Sequence, residues 1–136
     1  MPFVLDASIT LCWAFVDEEH PIATAALDFL EQGEARVPGV WWFEVRNSLL
    51  VNERRGRLNE AGTVSFLRNL AQLTIHIDRA PVEAVVLTLA RQHRLSVYDA
   101  AYLELAQREG LMLATLDAAL CQAAAAVGVP LLAEAA

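Results

Sequence analysis

At 136 residues, 56% hydrophobic and 20% charged, the sequence has the length of one domain and the apolar content for a sizeable core. Its net charge of −7 argues against a general nucleic-acid binder, and all ten positive charges are arginines, since the chain contains no lysine. No apolar run reaches the ~18 residues of a membrane span, the first residues lack a basic signal-peptide stretch, and nothing reads as disordered. The expectation is a single cytoplasmic domain over residues 1–136. Cys12 and Cys121 have no metal or redox spacing and are expected to be reduced and buried.

In chain order, Phe3, Val4 and Leu5 form a short apolar strand that Asp6 ends. A short buried helix follows over residues 9–15, and Asp17, Glu18, Glu19 and His20 make an acidic loop. Pro21 suits the first turn of a helix with Ala25, Ala26, Phe29 and Leu30 inward, ended by Gly33. Arg36 and Val37 make a strand stopped by Pro38 and Gly39. The helix expected from Val40 to about Arg55 puts Trp41, Val45, Ser48, Leu49 and Asn52 on one face, with Glu44 at its border. A carboxylate so placed needs a partner, a metal or a raised pKa. Arg54, Arg55 and Arg57 then form the basic cluster of the chain, complementing a helix C-terminus or steering phosphate.

Asn59 caps a helix to about Leu73 with Val64, Leu67, Leu70 and Ala71 inward, and residues 74–77 read as a strand. Pro81 opens a helix to about His93, with Val82, Val85, Val86 and Leu89 as its apolar side. Ser96 has the spacing of a capping box with Asp99, and Gly110 has the place of a terminating glycine. Leu111, Met112, Leu113 and Ala114 then make a strand buried on both faces, with Thr115 and Asp117 where it stops. An alanine-rich helix to Val127 and an edge strand over residues 129–132 complete the chain. Strands alternate with helices, which predicts an α/β fold whose mostly parallel, roughly five-stranded sheet is covered on both faces.

Four acids stand out. Asp6 and Asp117 follow strands, and Glu44 and Asp99 lie early in helices. Singly, each has an ordinary explanation as a cap or an ion-pair partner. If the first strand neighbours the one at 111–114, however, Asp6 and Asp117 meet in the crevice where parallel sheets bind ligands. Four converging carboxylates require cations, and hard oxygen ligands without His or Cys suit Mg²⁺ or Mn²⁺. Such a site can activate water and neutralise charge in phosphodiester hydrolysis. Thr115 and Ser8 are placed to hydrogen-bond the carboxylates or the water.

Val4-Leu5-Asp6-Ala7-Ser8, Phe43-Glu44-Val45-Arg46-Asn47-Ser48-Leu49, Leu95-Ser96-Val97-Tyr98-Asp99-Ala100-Ala101-Tyr102-Leu103 and Thr115-Leu116-Asp117 together resemble the four motifs of PIN domains. The length and motif order are most similar to the VapC-type toxins of toxin–antitoxin pairs. The resemblance implies a three-layer α/β/α fold and a Mg²⁺-dependent endoribonuclease. It implies an acidic site of Asp6, Glu44, Asp99 and Asp117, with Asp6, Asp99 and Asp117 as direct metal contacts and Thr115 in support. It also implies a homodimer and a cognate antitoxin, a segment of which lies in an apolar groove and sets a basic side chain among the acids. Trp13, Trp41 and Trp42 are the candidates for that groove.

Other classes fit less well. A phosphoaspartate receiver needs a lysine, which is absent, and a haloacid-dehalogenase-like phosphatase needs Asp-x-Asp where this chain has Asp6-Ala7-Ser8. A PIN-like scaffold that binds RNA or protein without cutting, and a PIN nuclease of RNA processing, remain the alternatives. His20, His76 and His93 show no ligand or triad spacing.

Overall fold

The computed structural model describes residues 1–133. Its sheet is built of four parallel strands, β1 (Phe3–Leu5), β2 (Ala35–Pro38), β3 (Ile75–Asp78) and β4 (Leu113–Ala114), in the order β3-β2-β1-β4. The α-helices are α1 (Ala7–Cys12), α2 (Pro21–Gln32), α3 (Gly39–Arg54), α4 (Glu60–Leu70), α5 (Glu83–His93), α6 (Val97–Glu109) and α7 (Ala118–Ala126). β1 pairs with β2 on one side and β4 on the other, with Leu5 opposite Ala114. The winding direction therefore reverses at β1, and the crevice beyond the carboxyl ends of β1 and β4 is the switch point of the sheet.

Of the five expected strands, the last is reduced to a single parallel bridge between Leu113 and Leu131. Leu113 N donates to Pro130 O (2.9 Å) and Leu132 N to Leu113 O (3.0 Å), while Pro130, having no N–H, cannot extend the ladder. Among the described residues no helix is long and apolar enough to cross a membrane.

The core is centred on β1, whose three residues are wholly buried, and on α6, where Ala100 and the run from Tyr102 to Ala106 are buried. The middle of α6 is thus enclosed on nearly every side, while both its ends reach the surface. Its ends follow the expected signals: Ser96 Oγ accepts from Asp99 N (3.0 Å), and Gly110 takes the left-handed conformation at φ 66°. α3 buries Trp41, Val45 and Leu49, as its periodicity predicts.

Two helices are rotated from expectation. In α4, Thr63 faces inward and donates to Glu53 Oε2 of α3 (2.5 Å), which turns Val64 out to 50% exposure and leaves Ala71 at the surface. In α5, the helix begins only at Glu83, so Val86 and Leu89 are buried while Val82 and Val85 stay exposed.

Glu104 lies in the buried run of α6, only 1% exposed. Arg108, one turn later, holds it through two bonds (Nε to Oε2 2.6 Å, Nη2 to Oε1 3.1 Å) and joins it to Asp78 at the end of β3 (2.7 Å). A buried carboxylate deprived of its partner is strongly destabilising. Arg108→Met is therefore expected to lower the unfolding free energy by about 3 kcal/mol, and Arg108→Met with Glu104→Leu to recover most of it, as measured by urea denaturation.

Candidate active site

Asp6 occupies the N-cap position of α1 at the carboxyl end of β1, without a side-chain capping bond, and is 5% exposed. Its Oδ2 accepts from Ser8 Oγ (2.7 Å) and from Thr115 Oγ1 (2.6 Å). Each hydroxyl is itself oriented from behind: Leu116 N donates to Ser8 Oγ and Asp117 N to Thr115 Oγ1, both at 3.1 Å. An oxygen that accepts from an amide turns its own proton elsewhere, here to Asp6. The Thr115–Asp6 and Leu116–Ser8 bonds depend on β1 and β4 lying side by side, the pairing that also brings the charge of Asp117 to bear on Asp6.

Asp117 caps α7, its Oδ2 accepting from Leu120 N (2.8 Å). Asp99 stands in the first turn of α6, half-buried. Glu44, on the second turn of α3, is also half-buried, and its Oε1 accepts from the Tyr102 hydroxyl (2.6 Å), not from an arginine. Burial raises the carboxyls of Asp6, Glu44 and Asp99 above the ordinary range. Neighbouring charge adds to this: Asp117 acts on Asp6, Asp6 and Asp99 on Glu44, and Asp117 and Asp6 on Asp99. The hydroxyls of Thr115 and Ser8 oppose the shift at Asp6, as Tyr102 does at Glu44. Burial, followed by the Asp6 and Glu44 charges, pushes the Tyr102 hydroxyl far above its usual range, so it stays a proton donor.

The four sequence-predicted acids thus share one electrostatic neighbourhood, with Ser8 and Thr115 gripping Asp6. Tyr102 is the member that the sequence reading missed. Its signal was a tyrosine three residues after Asp99 among apolar helix neighbours, since a buried phenol needs a partner. Among the described residues, no three His, Cys, Asp or Glu side chains are drawn together in a ready-made metal cage.

The three tryptophans do not act together. Trp41 is buried, with Nε1 donating to Thr10 Oγ1 (3.0 Å), and Trp13, half-buried, donates to Ala23 O of α2 (2.8 Å). Both bonds join helices, α3 to α1 and the end of α1 to α2. Trp42 is exposed beside Phe43 and lies under the Arg46 guanidinium (4.1 Å), on the β3 side of α3. A cleft of about 480 Å³ opens elsewhere, between α1 and α3, lined by Ser8, Leu11, Cys12, Phe15, Ser48, Asn52 and Leu116 with Glu18, Glu19 and His20 at its rim. Of the basic cluster, Arg57 is held by Asp17 (3.1 Å) and Glu18 (3.6 Å) and stacks over Phe15 (4.5 Å). Cys12 and Cys121 are free and half-buried, each donating to a carbonyl beside the site, of Ser8 and Thr115 respectively. His20 caps α2, and His76 pairs with Glu34.

A parallel sheet with an acid at the end of each switch-point strand, and two more on the flanking helices, is the arrangement of PIN domains. The PIN-domain family model matches residues 3–126, and the chain belongs to that family. It is 32% identical over 126 residues, covering 90% of this chain and 94% of the relative, to Ribonuclease VapC3 of Pyrobaculum aerophilum. The fold is similar to that of the crystal structure of PAE2754 from the same organism, with a TM-score of 0.69 at 24% identity, over 90% of this chain and 87% of that one.

The raised carboxyls set the pH response. In the folded protein Asp6, Glu44 and Asp99 hold protons that the unfolded chain releases, so stability falls as pH rises from the ordinary carboxylate range through their raised values. Asp78, kept low by Arg108, contributes stability that is lost only as pH falls below that range. In metal-free buffer the thermal midpoint is expected to rise as pH drops from about 7 toward about 4.5, and Asp99→Asn to flatten the rise while raising the neutral-pH midpoint. Calorimetric scans across that range check it.

Proposed function

We propose that the chain is a metal-dependent endoribonuclease toxin that hydrolyses RNA phosphodiester bonds in the cytoplasm and is neutralised by a cognate antitoxin. The observation that supports this reading best is that Asp6, Glu44, Asp99 and Asp117 lie within electrostatic reach of one another beside the switch point of a PIN fold. The similarity to a protein named as a ribonuclease supports it. The donor set fits Mg²⁺, with Mn²⁺ as a substitute: it is all oxygen, and Mg²⁺ keeps several waters and needs only one or two carboxylates. A preassembled three-acid cage is therefore not required of the protein. When bound, the cation would supply charge neutralisation and lower the pKa of a water so that, once deprotonated, it can attack phosphorus.

The chain's own residues prepare that step. Asp6, Asp99 and Asp117 would hold the cation, directly or through its waters. The Ser8 and Thr115 hydroxyls keep Asp6 in one orientation, and Glu44 stands at the border of the crevice to hold the water or a second cation. Their mutual repulsion favours a multivalent cation in their midst.

For the antitoxin, the cleft between α1 and α3 fits an apolar segment carrying basic side chains, because Leu11, Phe15 and Leu116 line it and Glu18 and Glu19 rim it. It leads to Ser8, and so to Asp6. Pairing of two chains falls to another face: Trp42, Phe43 and Leu50 are 42%, 67% and 45% exposed along α3. Phe43→Glu is expected to yield a monomer by light scattering.

Purified protein should cut a mixed set of structured RNAs with Mg²⁺ or Mn²⁺, stop in EDTA, and lose about 10²-fold or more of its rate in Asp6→Asn. Equal cleavage by Asp6→Asn refutes the site assignment, and wild type that neither cuts RNA nor binds Mg²⁺ leaves a binding scaffold as the function.

A further inference from the structure

We propose that Tyr102 is a positioning residue of this site: by donating to Glu44 Oε1 its hydroxyl aims the carboxylate into the crevice of Asp6 and Asp99. The inference rests on the nuclease reading above and adds a residue to it. Tyr102 is fully buried at the head of the buried stretch of α6 that runs to Ala106, where a phenylalanine would fill the same space. Its one polar atom goes to a side chain 58 positions away, at 2.6 Å. That partner lies on α3, so the bond joins two helices that both carry site acids.

Asp99 and Tyr102 are three residues apart and share a face of α6. The same helix therefore supplies one acid and the group that directs another. Glu44 also needs directing. A glutamate has free torsions, and the charges of Asp6 and Asp99 repel it toward solvent. The Tyr102 hydroxyl opposes that swing and occupies one oxygen, leaving Oε2 for the crevice. A second buried bond sets the height of α3: Trp41, one turn before Glu44, donates to Thr10 Oγ1 (3.0 Å), which donates to Asp6 O (3.2 Å). Trp41 thus registers the helix against Asp6, and Tyr102 registers the side chain.

The test is a double-mutant cycle of wild type, Tyr102→Phe, Glu44→Gln and the pair, read by Mn²⁺ titration calorimetry and by RNA cleavage. Tyr102→Phe is expected to weaken Mn²⁺ binding and lower kcat about 10-fold each with KM unchanged, and to change neither further in the Glu44→Gln background. Wild-type values in Tyr102→Phe, or an equal loss in both backgrounds, overturn the proposal. If Tyr102→Phe does not fold by near-ultraviolet circular dichroism, Glu44→Asp decides, since its shorter side chain cannot reach the hydroxyl: lost Mn²⁺ affinity supports the proposal and retained affinity overturns it. Wild type that neither binds Mn²⁺ nor cuts RNA defeats the nuclease reading and this inference together; an active wild type matched by Tyr102→Phe defeats the inference alone.

Discussion

The carboxylate of Asp6 sits at the end of the most buried strand with almost no access to water, and it keeps its place because two hydroxyls stand where water would. One comes from the first turn of α1 and the other from the residue after β4, so the arrangement exists only while β1 and β4 are paired. The amides of Leu116 and Asp117 orient those hydroxyls, which ties the β4–α7 connection to the same carboxylate. Burial of one acid thus dictates the local path of two chain segments. The other three acids add repulsion to a place already poor in solvation, and the surrounding core offsets it.

The charged groups divide into two populations. Glu104 and Asp78 share Arg108, Asp17 and Glu18 share Arg57, and Glu109 meets Arg36. Among the described residues, no such ion pair reaches Asp6, Glu44, Asp99 or Asp117, and the carboxylates of Asp6, Glu44 and Asp117 accept from hydroxyls and a backbone amide. An acid cluster maintained for stability alone would recruit arginines, and the chain has ten of them to recruit. Leaving these four unpaired keeps negative potential in a crevice with low-dielectric walls, where it acts most strongly on a cation or a basic side chain.

The motifs at Asp6, Glu44, Asp99 and Asp117 were legible because each sits next to a local signal: a strand end, a helix start, a cap. The alternation of apolar runs and amphipathic helices likewise made the α/β class readable, and Ser96 and Gly110 bounded α6 correctly. Local pattern failed where a contact from elsewhere decides the orientation. Thr63 faces inward where Glu53 accepts its hydrogen bond, a fact absent from the periodicity of residues 60–70. Trp41 and Trp42 are adjacent in sequence, yet one is core and the other surface, since a helix turns about 100° per residue and only packing says which side is in.

What the sequence by itself determined is the inventory and the local geometry: strand–acid–helix units, caps, an apolar core and an arginine-only positive charge. Short-range sterics and hydrophobic periodicity fix these within a few residues along the chain. Tertiary structure alone decided that β4 lies against β1, which brings Thr115 to Asp6 across 109 positions, and that Tyr102 meets Glu44 across 58. Those contacts arise from burying whole faces of strands and helices against one another, a collective effect with no signature at the individual residue.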